Sequence, residues 1–588
     1  MKKAGFYPRA AIGVLFFSLC FLSVVGLGQA SAADWPCWRG SNQDGISRET
    51  DLLKEWPKNG PPLTWKSSKI GNSTNGMIVV EPMLYTIGQR GGTECALCIS
   101  TASGKALWSM PIGKEWKAAS SYYPIMRSTP TFYKGMLYAF SSVGNLVCID
   151  TESARVVWTR NAVTTMGGQM PAGGYAESPY IDGKWVVICP GGPKCSMIAI
   201  NRNDGKNVWT ANAGMEAGYT SLVKASFGRE HQYVSFSGDG VYGVKVRGGN
   251  VRWRYDKVVN ESGTSVANLV WFGQTILASS TEGTGVFWVQ REGKTNRLEE
   301  IWLNKELQIP TGDIVKVNDF AFACTPEDGL VCFNYKTGEV QWTDASLFPT
   351  PEQDKATKRV RSKASGASKD ASGAEKPKEA PKPADSASLR EMVTFLAQDN
   401  PLNALAESTA EETKDIKKAD SDDSDAVEKE GGTKTEKKAT RTRARKSDDK
   451  EGKPAKKAKK RRSEKKAKPP KAPRCMASMT YADGMLYVHT SSGALALIEA
   501  NPKAFRCHGL IRISKKKALR PSPVVANGHL YVRDGETVYC FDVRQSTADA
   551  AASEAKKAED KAKKGGGKAL PGMPKSDGEA KRTAPTRG

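Results

Sequence analysis

The chain has 588 residues, a formal charge of +24 and an apolar fraction of 39%, enough for a sizeable core. Four histidines and a single Cys-x-x-Cys, at Cys95 and Cys98, exclude the usual structural zinc sites. Residues 346–473 hold 33 Lys and Arg against 23 Asp and Glu, and the segment from 545 holds 10 against 6, so 14 of the 24 charges lie outside the repeats described below.

Residues 1–32 read as a secretory signal. Lys2, Lys3 and Arg9 precede an apolar run from Ala10 to Leu27, and Ala30-Ser31-Ala32 follows as a small-x-small cleavage site. A membrane anchor is the alternative, opposed by Gly13, Ser18, Ser23 and Gly26 within the run. A lipoprotein would use Cys20, but Leu19 before it is large for that chemistry. The expectation is a water-soluble protein exported to the periplasm or beyond, with no transmembrane span in the mature chain.

From residue 33 a sentence repeats: an alternating strand, a turn, Leu-x-Cys-Ile-Asp, then a turn ending in Trp. It stands at Gly144 to Trp158 and again at Asp328 to Trp342. Trp65, Trp108, Trp158, Trp209, Trp253, Trp302 and Trp342 close successive units 40 to 51 residues apart. Such a period signals stacked units that bury their apolar faces only against one another, and four short strands per unit make a propeller blade. Cys98, Cys148, Cys332 and Cys540 share one slot in the third strand, where a small buried residue packs. Cys189 and Cys195 flank a Gly-Gly-Pro turn and are the disulfide candidates.

Two further strand groups, Cys475 to Ile513 and Arg520 to Val543, follow a long interruption. The last has no outer Trp strand, whereas Trp65 is an outer strand with no blade before it. Joining them closes the ring and removes its open edges. The predicted fold is all-β, an eight-bladed β-propeller of four-stranded antiparallel blades, closed by pairing the N-terminal strand with the last blade. Blades one to six and the closing strand occupy 33–345, and blades seven and eight occupy 474–544.

Between them, 346–473 is a charged low-complexity insert too poor in apolar residues to offset its ordering entropy. Leu389, Met392, Val393 and Leu396 fall at helical spacing, predicting a short helix near 387–400. Residues 434–471 carry 19 basic and 5 acidic side chains. A solvated charge run is the plain reading. The functional one is polyanion binding by Arg441, Arg443, Arg445, Lys459, Lys460, Arg461 and Arg462, to anionic polymer or lipid; nucleic acid is disfavoured by the lack of interleaved aromatics. A basic tail, 545–588, also reads as disordered.

The Leu-Tyr pairs at Leu84-Tyr85, Leu137-Tyr138, Leu486-Tyr487 and Leu530-Tyr531, the Gly-x-x-x-Trp turns at Gly104 and Gly338, and the opening Asp34-Trp35-Pro36-Cys37-Trp38-Arg39-Gly40 resemble the pyrroloquinoline-quinone (PQQ) type repeat. That propeller occurs in quinoprotein dehydrogenases and in the assembly protein BamB. The resemblance implies a fold more than an activity.

A quinoprotein dehydrogenase would hold its quinone over the funnel with calcium, an aspartate base and a disulfide of adjacent cysteines. This chain has no Cys-Cys pair, so no cofactor is expected, with PQQ and calcium as the alternative. The innermost strands offer Arg127, Glu177, Asn268, Asp319 and Arg520 to a funnel ligand, and Glu177, Asn268 and Asp319 are oxygen-ligand types suited to calcium. Polar residues lining a wet channel are the plain alternative. The functional expectation is a non-enzymatic scaffold binding an envelope protein, as BamB-like propellers do. The alternatives are a quinoprotein-like oxidoreductase and a polyanion binder.

Overall fold

The computed structural model describes residues 34–116, 128–260, 266–293, 295–350, 474–515, 518 and 520–547. The signal, the insert from 351 to 473 with its expected helix, and the tail from 548 lie outside them, whereas Leu347 and Phe348, placed in the insert from the sequence, are buried at the joint of blades 6 and 7.

Eight four-stranded antiparallel blades follow one another in chain order. We label the strands of each blade A to D outward from the axis. Blade 2 is typical, with A Thr131–Tyr133, B Met136–Phe140, C Asn145–Asp150 and D Arg155–Asn161. Blade 8 takes A to C from Val524–Ala526, His529–Asp534 and Thr537–Asp542, and its D strand is Leu63–Ser67 from the start of the chain. This is the expected closure. Blade 7 carries a fifth strand, Ile46–Ser47, added in parallel to the inner edge of Ala477–Ala482.

The apolar alternation of the strands is used on both faces, because each blade is sandwiched between two others. The buried residues therefore form eight clusters, one at each joint between neighbouring blades. The cysteine slot holds its register: Cys98, Cys148, Cys332 and Cys540 lie opposite Trp108, Trp158, Trp342 and Trp65. Each of the four enters a different joint. Burial pushes the Cys148, Cys332 and Cys540 thiols up to about 12, so they pack as small apolar groups.

The tryptophans lock the joints. The Gly of each Gly-x-x-x-Trp turn receives the tryptophan of the blade before it. A Cβ on Gly104, Gly249 or Gly338 would lie 2.6 Å from the ring of Trp65, Trp209 or Trp302, and all three glycines have positive φ. The indole nitrogens of Trp158, Trp302 and Trp342 each donate to a carbonyl of the next blade at 2.9 Å, from Arg202, Tyr335 and Asn501. One repeated phrase thus encodes both halves of a joint.

Blade 7 has no outer tryptophan. Gly509 stands at that register, and Trp56 of the N-terminal segment fills the space. The Trp56 amide donates to the His508 carbonyl at 2.9 Å, and its ring lies 6.2 Å from Tyr487, as Trp158 lies 6.0 Å from Tyr138. A side chain on Gly509 would meet Trp56 at 2.5 Å.

Candidate functional site

Two concave regions lie along the axis. The first is the central channel, whose remaining space is about 120 Å³. Its polar residues tie each inner strand to the next. Asn75 donates to the Ser128 carbonyl at 2.7 Å, Ser178 accepts from the Thr129 amide at 3.0 Å, and Ser221 accepts from the Ser178 amide at 2.8 Å. Thr220 donates to the Ala267 carbonyl, Asn268 accepts from the Ile314 amide at 2.7 Å, and Asp313 accepts from the Met479 amide at 2.9 Å. Ser478 donates to the Arg520 carbonyl at 2.7 Å. At the closing joint the buried guanidinium of Arg533 reaches from blade 8 to the carbonyls of Ile87 and Gly71, each at 2.8 Å. Buried polar atoms must find partners, and here the ring supplies them.

The N-terminal segment closes one end of this channel. Trp35 exchanges two backbone hydrogen bonds with Val79 of blade 1, and Pro36 accepts from the Phe132 amide of blade 2. The chain then turns at Arg39, whose φ is 62°. The Arg39 guanidinium is buried. It pairs with Asp313 at 2.6 Å and donates to the carbonyls of Ile314 and Asp44 at 2.8 and 2.9 Å. Gln43 and Gly45 donate back to the Gly40 and Arg39 carbonyls, closing this turn, and the segment continues to the inner edge of blade 7. Glu49 accepts from the Asn527 and Gly528 amides of blade 8, both at 2.9 Å.

Where the segment leaves the ring uncovered, a bowl of about 1130 Å³ opens over the A strands of blades 2 to 6. Its surface includes Tyr133, Tyr180, Trp271 and Phe272. Trp271 is 40% exposed and Phe272 54%. The charges there are matched within the chain. Lys224 pairs with Asp182 at 2.7 Å, Lys336 with Asp319 at 3.0 Å, and the Lys316 ammonium sits 3.6 Å over the Phe272 ring.

Comparison with known proteins agrees with this geometry. The PQQ_2 family model, described as outer membrane protein assembly factor BamB, matches residues 92–344. Residues 92–344 thus match the PQQ-type repeat within the eight-bladed propeller. No curated protein sequence matches it significantly. Similar solved structures include BamB from Moraxella catarrhalis, 9% identical with a TM-score of 0.44, covering 82% of this chain and 99% of that one. The computationally designed protein Ika8 is 7% identical at 0.41, covering 82% and 100%. A quinohemoprotein alcohol dehydrogenase from Comamonas testosteroni is 11% identical at 0.33, covering 52% and 72%. The PQQ-type propeller by itself assigns no activity.

In this propeller the oxygen ligands considered for calcium do not come together. Ala176 and Ser178 line the channel, whereas Glu177 between them is buried at the joint of blades 3 and 4. Its Oε1 accepts from the Cys189 amide at 2.5 Å, and its Oε2 has no partner among the described residues. Burial pushes the carboxyl up to about 7. Asn268 is engaged by Ile314, and Asp319 sits on an exposed turn at the rim of the bowl. Among the described residues, no group of three or more acidic, His or Cys side chains is placed to hold a metal. Trp35, Trp38 and Arg39 line one end of the channel.

Arg520 does line the channel, but its guanidinium pairs with Asp534 at 2.7 Å. Arg127 and the basic candidates Arg441, Arg443, Arg445, Lys459, Lys460, Arg461 and Arg462 lie outside the described residues. The disulfide expected between Cys189 and Cys195 is corrected: both thiols are free. Cys189 packs into the joint of blades 3 and 4, Cys195 into that of blades 2 and 3, so their side chains leave opposite faces of the sheet. Trp56 and Asp313 were not singled out from the sequence, and Arg39 entered only as part of the opening motif. A tryptophan that no repeat accounts for, facing a blade that lacks one, was the available signal.

Among the described residues no helix is long and apolar enough to cross a membrane.

Proposed function

We propose that this chain is an exported, non-enzymatic scaffold of the cell envelope that docks a protein partner at the bowl. The observation that carries this reading is the aromatic surface of that bowl, with Trp271 and Phe272 open to solvent while their neighbours' charges are already matched. Exposed aromatics on a rigid concave surface are the usual anchors of protein recognition.

The test is site-specific photo-crosslinking in living cells from position 272, with exposed Leu510 on the outer face of blade 7 as the control position. A discrete adduct from 272 alone is expected. Equal adducts from both positions, or none from 272, would overturn the docking site. A companion titration with PQQ and calcium is expected to leave the melting temperature unchanged. A saturable rise, which binding to the folded state must produce, would restore the oxidoreductase reading.

A further inference from the structure

Resting on that docking reading, we infer that the partner binds as an extended strand added to the inner edge of blade 4, Val223–Phe227, in the manner of the chain's own N-terminal segment at blade 7. The A strands of blades 3 to 6 each stand at the end of their sheet, with one backbone edge turned toward the axis. An edge of this kind is a template for another chain. The molecule already uses it so. Ile46–Ser47 pairs in parallel with Tyr481–Ala482, the Tyr481 amide donates to the Gly45 carbonyl at 2.9 Å, and Trp35 makes a bridge to Val79 on the same edge of blade 1. The N-terminal segment leaves the edges over the bowl uncovered.

Among these, blade 4 is the best rail. Its A strand has 5 residues against 3 in blades 3, 5 and 6, so it offers the longest ladder. Lys224 and Ser226 from it line the bowl. Tyr180 of blade 3 flanks one side of the strand and Trp271 of blade 5 the other, while Phe272 beside it turns toward Tyr335 and Lys316 of blade 6 at the rim of the same bowl.

The occupant follows from this chemistry. Strand addition takes affinity from main-chain hydrogen bonds and specificity from alternate side chains. The flanking surfaces are aromatic, so the alternate positions of the partner carry aromatic or branched apolar residues. Lys224 is paired with Asp182, and Lys316 lies over the Phe272 ring with Asp319 nearby, so neither cation is a free partner for a phosphate or a polyanion. The partner is therefore an extended, nearly uncharged segment of another polypeptide.

The experiment selects short displayed peptides against the full chain, synthesises the best binder, and methylates its backbone nitrogens in two alternate sets. In a strand only every second amide faces the host. Methylating one set is expected to weaken binding by about tenfold or more, as for one or two lost hydrogen bonds, and methylating the other to change it little. Trp271→Ser with Phe272→Ser is expected to abolish binding while the melting temperature stays near that of the parent. Equal effects of the two methylated sets, binding unaffected by the double substitution, or displacement by a charged glycan would each overturn the inference. If position 272 crosslinks a folded partner but no peptide binds, strand addition falls and the docking scaffold stands. If neither occurs, both fall.

Discussion

The channel and the bowl share one axis and treat their side chains in opposite ways. In the channel, serine, threonine, asparagine and aspartate recur at the head of each inner strand, and nearly all are turned back into the ring as ties between blades. In the bowl, the charges are matched locally and it is the apolar surface that stays open. A polar cavity is thus a poor guide to function here, because its atoms are already engaged. An aromatic surface left in water is the better one.

This contrast predicts that channel substitutions damage stability and leave binding intact, while bowl substitutions do the reverse. The largest effect is expected at the plug. Asp313→Ala strands the buried Arg39 charge and is expected to cost about 3–5 kcal/mol, read as a fall in the urea midpoint. The double change Arg39→Met with Asp313→Leu should recover only part of it, since the buried charge is gone but the Met479 amide and the Ile314 carbonyl lose their partners. Full recovery would mean those ties contribute nothing.

Trp56→Ala comes next, at about 3 kcal/mol for an aromatic lost from a packed joint. Limited proteolysis should then find its first cuts in blades 7 and 8. A cut elsewhere would deny Trp56 the role of blade 7's missing tryptophan.

Glu177 adds a pH dependence. Its folded value, about 7, lies above the ordinary 4.5, so the folded state holds a proton that the unfolded state has released. Stability should therefore fall as pH rises from 4.5 to about 7 and level off above, by at most about 3 kcal/mol. Urea titrations at pH 5 and pH 8 read this difference, and Glu177→Gln should abolish it. An undiminished difference in that variant would place the titrating group elsewhere.

Phe272→Ser marks the small end of the scale. A residue 54% exposed should shift stability by no more than about 0.5 kcal/mol while weakening the partner contact. A large loss of stability would move the bowl into the same class as the channel and erase the contrast.

The repeating parts of this molecule were open to reading because their spacing is physical. Trp108, Trp158 and Trp342 recur since each blade must lock onto the next, and Trp65 pairs with the last blade since a ring has no spare edge. Position within the unit told which residues head the inner strands, but not whether their atoms were free. Alternation has a period of two, so a shift of one residue took Glu177 from the expected channel wall into a joint. The bowl was not legible at all. Tyr180, Trp271 and Phe272 come from the short A strands of blades 3 and 5, and only the three-dimensional path of the N-terminal segment decides what it leaves open.

That path has a consequence in time. The segment from Trp35 to Trp65 is among the first to be synthesised, yet Leu52, Leu53, Trp56 and Trp65 complete joints of blades 7 and 8, which are made some 450 residues later. Until then four large apolar side chains have no place to go, and an incomplete chain displays them. Contacts so distant in sequence form late and leave aggregation-prone surface in the interval. The beginning of the chain therefore works as its completion signal: it can be buried only by a molecule that has been made to the end of its last blade.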